Sequence, residues 1–173
     1  SYIETNINGT LNLLQASVKH KVKKFIQTST SEVYGTAQKI PIDESHPLNA
    51  QSPYAATKIA ADQLALSFYK SYDLPVTILR PFNTFGPRQS GRAVIPTIIT
   101  QILKKDKITL GSLSPSRDFN FVEDVMHAFY LALNNKKIVG EVINIGSGYE
   151  RTIEEYAKFI MKKLNVNFKI KYD

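Results

Sequence analysis

The chain contains no cysteine, which excludes disulfides and cysteine-ligated zinc and permits a reducing compartment without demanding one. It has no apolar run of membrane-spanning length. No signal peptide opens it, and its first residue is Ser1 rather than Met. A soluble, cytoplasmic protein without a membrane partner is therefore expected. A basic stripe with aromatic support is also lacking. The net charge of +7 comes from 22 Lys and Arg against 15 Asp and Glu. The excess sits in short lysine clusters at 19–24, 104–105, 136–137 and 162–163, at helix ends or between elements. This pattern argues against nucleic acid and suits attraction of a small anion. His20, His46 and His127 show no ligand spacing, so no metal site is expected.

What is present is 173 residues, 43% hydrophobic and 21% charged, enough for an ordinary globular core. The chain is organised around Ser52-Pro53-Tyr54-Ala55-Ala56-Thr57-Lys58. Pro53 suits the first turn of a helix. Tyr54 and Lys58, four residues apart, then share one helical face. A phenol beside an ammonium is a poised base, because positive charge favours the phenolate.

Helical spacing of Ile3, Ile7, Leu11, Leu14 and Val18 predicts a helix over 3–19. A buried strand is expected over 22–30, ending in the polar run Thr28-Ser29-Thr30-Ser31-Glu32, and a polar loop over 35–53. The Tyr54 helix is expected to run to about residue 72 with Ala56, Ile59, Ala60, Leu64 and Phe68 as its apolar face. A second strand is read over 74–80, closed by Pro81 and a loop over 82–91. Then come a helix near 93–104, a short strand at 108–110, a polar loop at 111–117, a helix at 122–134 and a strand at 141–145. Gly146-Ser147-Gly148 turns the chain. Thr152 caps a further helix with Glu155 in a capping box, and a last strand is expected over 168–172. Alternating helices and short apolar strands predict an α/β, mostly parallel sheet with helices on both faces. Ligands bind such sheets outside the strand carboxyl ends, and three of those ends lead into Thr30 to Glu32, Pro81 to Asn83 and Gly146 to Gly148.

The segments Asn8-Gly9-Thr10, 28–35, Tyr54 to Lys58, Arg80-Pro81-Phe82-Asn83-Thr84-Phe85-Gly86-Pro87-Arg88, Arg117-Asp118-Phe119, Val122-Glu123-Asp124 and Asn144-Ile145-Gly146-Ser147-Gly148 follow a family's order. Together they resemble the extended short-chain dehydrogenase/reductase family, in its sugar-nucleotide epimerase and dehydratase branch. The run from Asn83 to Arg88 with Ser116 to Asn120 looks most like bacterial hexosamine nucleotide 4,6-dehydratases of the legionaminic-acid type. The resemblance implies a Rossmann-like fold that is incomplete at its N-terminus, because the Gly-rich turn that cradles a dinucleotide pyrophosphate is missing from the sequence. It divides the chain into residues 1–92, the later part of an NAD-binding domain with the catalytic residues, and 93–173, a mixed substrate-binding region with a returning sheet strand.

The resemblance implies NAD as cofactor and a nucleotide-diphosphate sugar as substrate. It makes Tyr54 the base for a sugar hydroxyl, Lys58 the group that lowers the Tyr54 pKa and binds the nicotinamide ribose, and Thr30 the residue that orients the hydroxyl. Glu32 becomes the base for the C5 proton of a 4,6-dehydratase. Thr28, Ser29, Pro81 and Phe82 fall on the cofactor side, and Ser31, Asn83, Arg88 and Arg117 on the substrate. Ser31 stands where many such enzymes have an aspartic acid for the leaving hydroxyl, leaving Glu32 or a water as donor. The same motif also occurs in UDP-glucuronate decarboxylases, and a C4 epimerase needs the same Tyr and Lys. An inactive nucleotide-sugar-binding fragment is the non-enzymatic alternative. For the arginines, exposed ion pairs are the structural alternative. Asp118 and Asp124 are expected to tie loops and cap a helix, and Asn8 to brace backbone. A homodimer is expected through helices 3–19 and 54–72, with Ala55, Ala61 and Leu66 turned outward.

Overall fold

The computed structural model describes residues 1–104 and 107–172; Lys105, a member of one lysine cluster, lies outside them. The chain opens with a π-helical stretch Ile3–Asn8 that runs into α1 (Gly9–Lys19). Strand β1 (Phe25–Thr28), a 3-10 turn Ser31–Tyr34, α2 (Pro53–Tyr72) and β2 (Val76–Pro81) follow. Next come β3 (Asn83–Phe85), α3 (Val94–Leu103), β4 (Ile108–Leu110), β5 (Ser116–Arg117), β6 (Phe119–Phe121) and α4 (Val122–Asn134). The chain closes with β7 (Val142–Ile145), β8 (Arg151–Thr152), α5 (Ile153–Lys163) and β9 (Ile170–Tyr172). This is the α/β architecture the alternation predicts. Contacts divide it into two compact units: unit 1 is Ser1–Phe82 with Glu123–Gly146, and unit 2 is Asn83–Val122 with Ser147–Asp173.

Unit 1 is built on a parallel sheet of order β1-β2-β7, with Thr28 level with Leu79 and Pro81 level with Ile145. Central β2 is buried from Val76 through Arg80, as a strand covered on both faces requires. Leu14, Ala65, Leu74, Val76 and Ile78 form its core cluster. Helix α2 starts where local chemistry dictates: the Ser52 hydroxyl accepts the Ala55 N–H at 3.1 Å and Pro53 fills the first turn. It stops at Asp73, whose φ of 53° ends the helical path.

The expected apolar face of α2 is not the one most deeply buried. Ala55, Thr57, Ala61, Asp62 and Ala65 are buried, while Ala56 is exposed and Ile59, Ala60, Leu64 and Phe68 are half-buried. Small side chains allow the close approach, and they carry little hydrophobic signal. Ala55 and Ala61, expected to face outward, are therefore core residues. Along 3–19 only Leu14 and Ser17 are buried, and the first turns are wider than the α-helix expected there. Asn8 pairs with Glu4 of its own helix at 3.0 Å, whereas Asn6 reaches across to the Thr57 hydroxyl at 3.0 Å.

In unit 2, α3 and α5 pack over β4 and β9 around Ile98, Ile102, Ile108, Leu110, Ile153, Ala157 and Met161. The predicted capping box is formed: the Glu155 N–H donates to the Thr152 hydroxyl at 3.2 Å and the Thr152 N–H to Glu155 Oε2 at 2.7 Å. The expected loop over 82–91 instead opens with β3, which pairs in parallel with β6. Gly86 makes that pairing possible, since a Cβ there would fall 2.4 Å from Val122 Cγ1. Asp118 ties the 146–148 turn by accepting the N–H groups of Ser147 and Gly148 at 2.8 and 3.0 Å.

Candidate active site

In a parallel sheet every strand carboxyl end faces the same way, so the end of β1 and the start of α2 bring their polar residues together. The Thr28 carbonyl accepts a hydrogen bond from Lys58 Nζ. The Thr30 hydroxyl accepts the Glu32 N–H at 3.3 Å, opening the 3-10 turn, and lies near enough to the Tyr54 phenol to act on its pKa. Glu32 is exposed, Ser31 half-buried, and Tyr54 and Lys58 half-buried. The rings of Tyr2 and Tyr54 meet edge to face, their centroids 5.7 Å apart.

The electrostatics differ from the sequence expectation. Burial pushes the Tyr54 phenol above its ordinary pKa, the Glu32 carboxylate and Tyr2 push it further, and the Thr30 hydroxyl opposes them. The Lys58 ammonium, expected beside the phenol, donates to the Thr28 carbonyl. Burial lowers the pKa of Lys58 itself, and the Asp62 carboxylate opposes that shift.

Ser29, expected on the cofactor, is buried and donates its hydroxyl inward to Asp62 Oδ2 at 2.7 Å. There it joins a network that sequence reading did not find. Asp62 Oδ2 also accepts Arg80 Nε and Nη2, each at 3.1 Å. Arg80 Nη1 donates to the Tyr34 hydroxyl at 2.8 Å, and Tyr34 donates to Asn144 Oδ1 at 2.8 Å. Burial raises the Asp62 pKa, against the hydrogen bond from Ser29 and the charge of Arg80. One signal was available: Asp62 follows Lys58 by the same four residues that separate Lys58 from Tyr54. Pro81 and Phe82 are half-buried at the end of β2, where the Phe82 N–H donates to the Ile145 carbonyl at 2.9 Å.

Unit 2 holds a cavity of about 520 Å³, lined among others by Asn83, Gln89, Arg92, Thr97 and Arg117. Two expected substrate residues, Asn83 and Arg117, line it; Arg88 is exposed with a φ of 65° and does not. Arg92, which sequence reading passed over, does. Arg117 Nη1 donates to the Ser116 carbonyl at 2.7 Å, and no acidic partner holds it in an ion pair among the described residues. No group of metal-ligating side chains occurs among the described residues, and no helix there is long and apolar enough to cross a membrane.

Comparison with known proteins gives these features a setting. The chain is 38% identical to the low-salt glycan biosynthesis protein Agl12 of Haloferax volcanii, over 93% of this chain and 52% of that protein. It matches the structure of a UDP-N-acetylglucosamine 4-epimerase from Methanobrevibacter ruminantium, solved with UDP-N-acetylmuramic acid. That match has a TM-score of 0.93 at 35% identity and covers 99% of this chain and 56% of the epimerase. A dTDP-glucose 4,6-dehydratase from Bacillus anthracis, solved with NAD, gives 0.91 at 36% identity, covering 98% and 56%. The chain thus spans about half the length of the curated relatives it matches. Residues 1–172 match the GDP-mannose 4,6 dehydratase family. The motif order from Asn8 to Gly148, the parallel sheet beneath Tyr54 and the match along the described chain lead to one conclusion: this chain belongs to the GDP-mannose 4,6 dehydratase family.

Proposed function

We propose that the full-length protein carrying this chain is an NAD-dependent sugar-nucleotide 4,6-dehydratase of surface-glycan precursor synthesis. The observation that supports it best is the exposed Glu32 carboxylate in the turn after β1, whose backbone N–H donates to the Thr30 hydroxyl and whose charge acts on the Tyr54 phenol. Two proton-accepting groups at one strand end suit a reaction that removes two protons from one sugar. Tyr54 takes the proton of the C4 hydroxyl, with Thr30 orienting that hydroxyl. Glu32 takes the C5 proton, made acidic by the neighbouring C4 ketone, and the C6 hydroxyl leaves as water with a proton from Glu32 or solvent. C5 takes back a proton as C6 is reduced, and C4 ends oxidised, so the sugar's net change is the loss of one water.

The donors at this end of unit 1 fit the nicotinamide ribose of NAD: Lys58, held on the Thr28 carbonyl, has further N–H groups, and the Tyr54 hydroxyl lies one turn away. When bound, NAD supplies the hydride acceptor for C4, the hydride for C6, and a cationic ring. Asn83, Arg88 and Arg117 are assigned to the nucleotide diphosphate, with Arg92 added because it lines the same cavity as Asn83 and Arg117.

The test is mass spectrometry of a nucleotide-hexose panel incubated with NAD and the full-length protein. Loss of one water from one donor is expected. Glu32→Gln should stop elimination and still allow oxidation, read as reduced cofactor; elimination surviving in that variant rejects the assignment. The similarity to a 4-epimerase supports a second reading, C4 epimerisation. That reaction would leave the mass unchanged and interconvert epimers by NMR.

We further infer a homodimer through the 3–19 and 54–72 helices. Tyr2, Ile3, Ile7, Pro53 and Ala56 line an apolar surface groove of about 480 Å³ there, in place of the buried Ala55 and Ala61. Light scattering that finds the full-length protein monomeric would reject it. A cytoplasmic location follows from this choice of substrate and cofactor, both cytoplasmic metabolites, and subcellular fractionation checks it.

A further inference from the structure

Tyr54, Lys58 and Asp62 fall one turn apart on α2 and form a single row. Three consecutive residues at the end of β1 meet that row. The Thr28 carbonyl takes the Lys58 ammonium, the Ser29 hydroxyl donates to Asp62 at 2.7 Å, and the Thr30 hydroxyl lies near the Tyr54 phenol. Of the three contacts, the middle one alone lies fully inside the protein: Asp62 has no exposed surface and Ser29 is 4% exposed. Asp62 is also anchored from behind by Arg80 on β2, which continues through Tyr34 to Asn144 on β7. Its second oxygen, Oδ1, has no hydrogen-bond partner among the described residues. A buried carboxylate with one oxygen unsatisfied is a costly way to fill space. An apolar residue would pack there at lower cost, and would not hold Ser29.

We propose that Asp62 is a positioning residue: through Ser29 and Arg80 it locks residues 28–30 at the height on α2 that sets the Thr30 hydroxyl near Tyr54 and the Thr28 carbonyl on Lys58. The proposal rests on the reading of Tyr54 and Lys58 as the reacting pair, but its test does not depend on turnover. Glu32 and Tyr2 are the charged and titratable groups that face Tyr54, with Lys58 one turn on. Arg80 and Lys58 act on Asp62. Replacing Ser29 alters none of these groups. It releases the side-chain tether of this segment and leaves the Ser29 N–H on the Leu79 carbonyl at 2.8 Å, and Thr30 is the neighbour that pulls the Tyr54 pKa down.

The experiment uses the full-length protein carrying carbon-13-labelled tyrosine, with the Tyr54 signal assigned by its loss in Tyr54→Phe. In Ser29→Ala and Asp62→Asn the Tyr54 titration midpoint should rise by about half a pH unit or more. Turnover should fall about tenfold in kcat, with the KM for the sugar nucleotide unchanged. Ser29→Ala keeps the Asp62–Arg80 pair, so it carries the test if Asp62→Asn does not fold. A Tyr54 midpoint unchanged in Ser29→Ala overturns the proposal, whatever happens to turnover. Absence of turnover in the unsubstituted protein would reject the dehydratase reading, while the Tyr54 titration would still decide the role of Asp62.

Discussion

Replacing Arg80 by methionine probes the buried centre of unit 1. Arg80 is 3% exposed and Asp62 not at all, and the guanidinium meets the carboxylate at 3.1 Å. Methionine fills much of the same volume but leaves the carboxylate without its cation, a change worth about 3–5 kcal/mol in buried pairs. The sign of the pH dependence follows from the direction of the Asp62 shift. Its folded pKa already lies above the ordinary value because of burial, and Arg80 opposes that rise. Without Arg80 the folded pKa climbs further. A raised carboxylate contributes stability that is fully present below its unfolded value and is lost as pH rises through its folded value. The Arg80→Met deficit should therefore be greatest at neutral pH and shrink on acidification toward about pH 5. Urea unfolding of the full-length protein followed by circular dichroism at both pH values measures it. The double variant Arg80→Met with Asp62→Leu should recover most of the loss, since an apolar pair replaces a desolvated ion pair at little cost. A deficit below about 1 kcal/mol at neutral pH, or one that does not change with pH, would refute the account of this pair.

Arg117→Ala and Arg92→Ala should each weaken sugar-nucleotide binding by roughly tenfold or more, the loss expected for one charge-assisted bond to phosphate. Calorimetric titration of the full-length protein should show this, with Arg88→Ala giving the smaller change because Arg88 lies outside the cavity lining. Gly86→Ala should destabilise the protein by about 1–3 kcal/mol, because the new Cβ falls 2.4 Å from Val122 Cγ1. Thermal melts should show partial recovery when Val122→Ala is added. Asp43, hydrogen-bonded by Lys39 and Ser45, has its pKa lowered to about 2. Its contribution to stability is present above the ordinary carboxylate range and fades as pH falls through that value. An NMR titration of its side chain should give that midpoint, and Lys39→Ala should move it back toward about 3.9.

The sequence by itself determined the features set by neighbours along the chain. Ser52 and Pro53 fixed the start of α2, Thr152 and Glu155 the start of α5, and the spacing of Tyr54 and Lys58 their common face, because each depends on contacts within a turn or two. The motif order from Asn8 to Gly148 likewise identified the family, and the alternation of elements identified the α/β class. Tertiary structure alone decided features that need partners far away in the chain. Strand β3 is only three residues long and exists because Phe119–Phe121 pairs with it, a pairing no local pattern records. The buried face of α2 went to Ala55, Ala61, Ala65 and Asp62, because close packing favours small side chains and a buried carboxylate needs Arg80, eighteen residues on. The direction of the Tyr54 shift was decided the same way. Spacing put an ammonium one turn away, but the fold turned that ammonium onto Thr28 and brought burial and Glu32 to bear on the phenol. A pKa responds to every charge and every lost water around a group, and those are arranged only when the chain is folded.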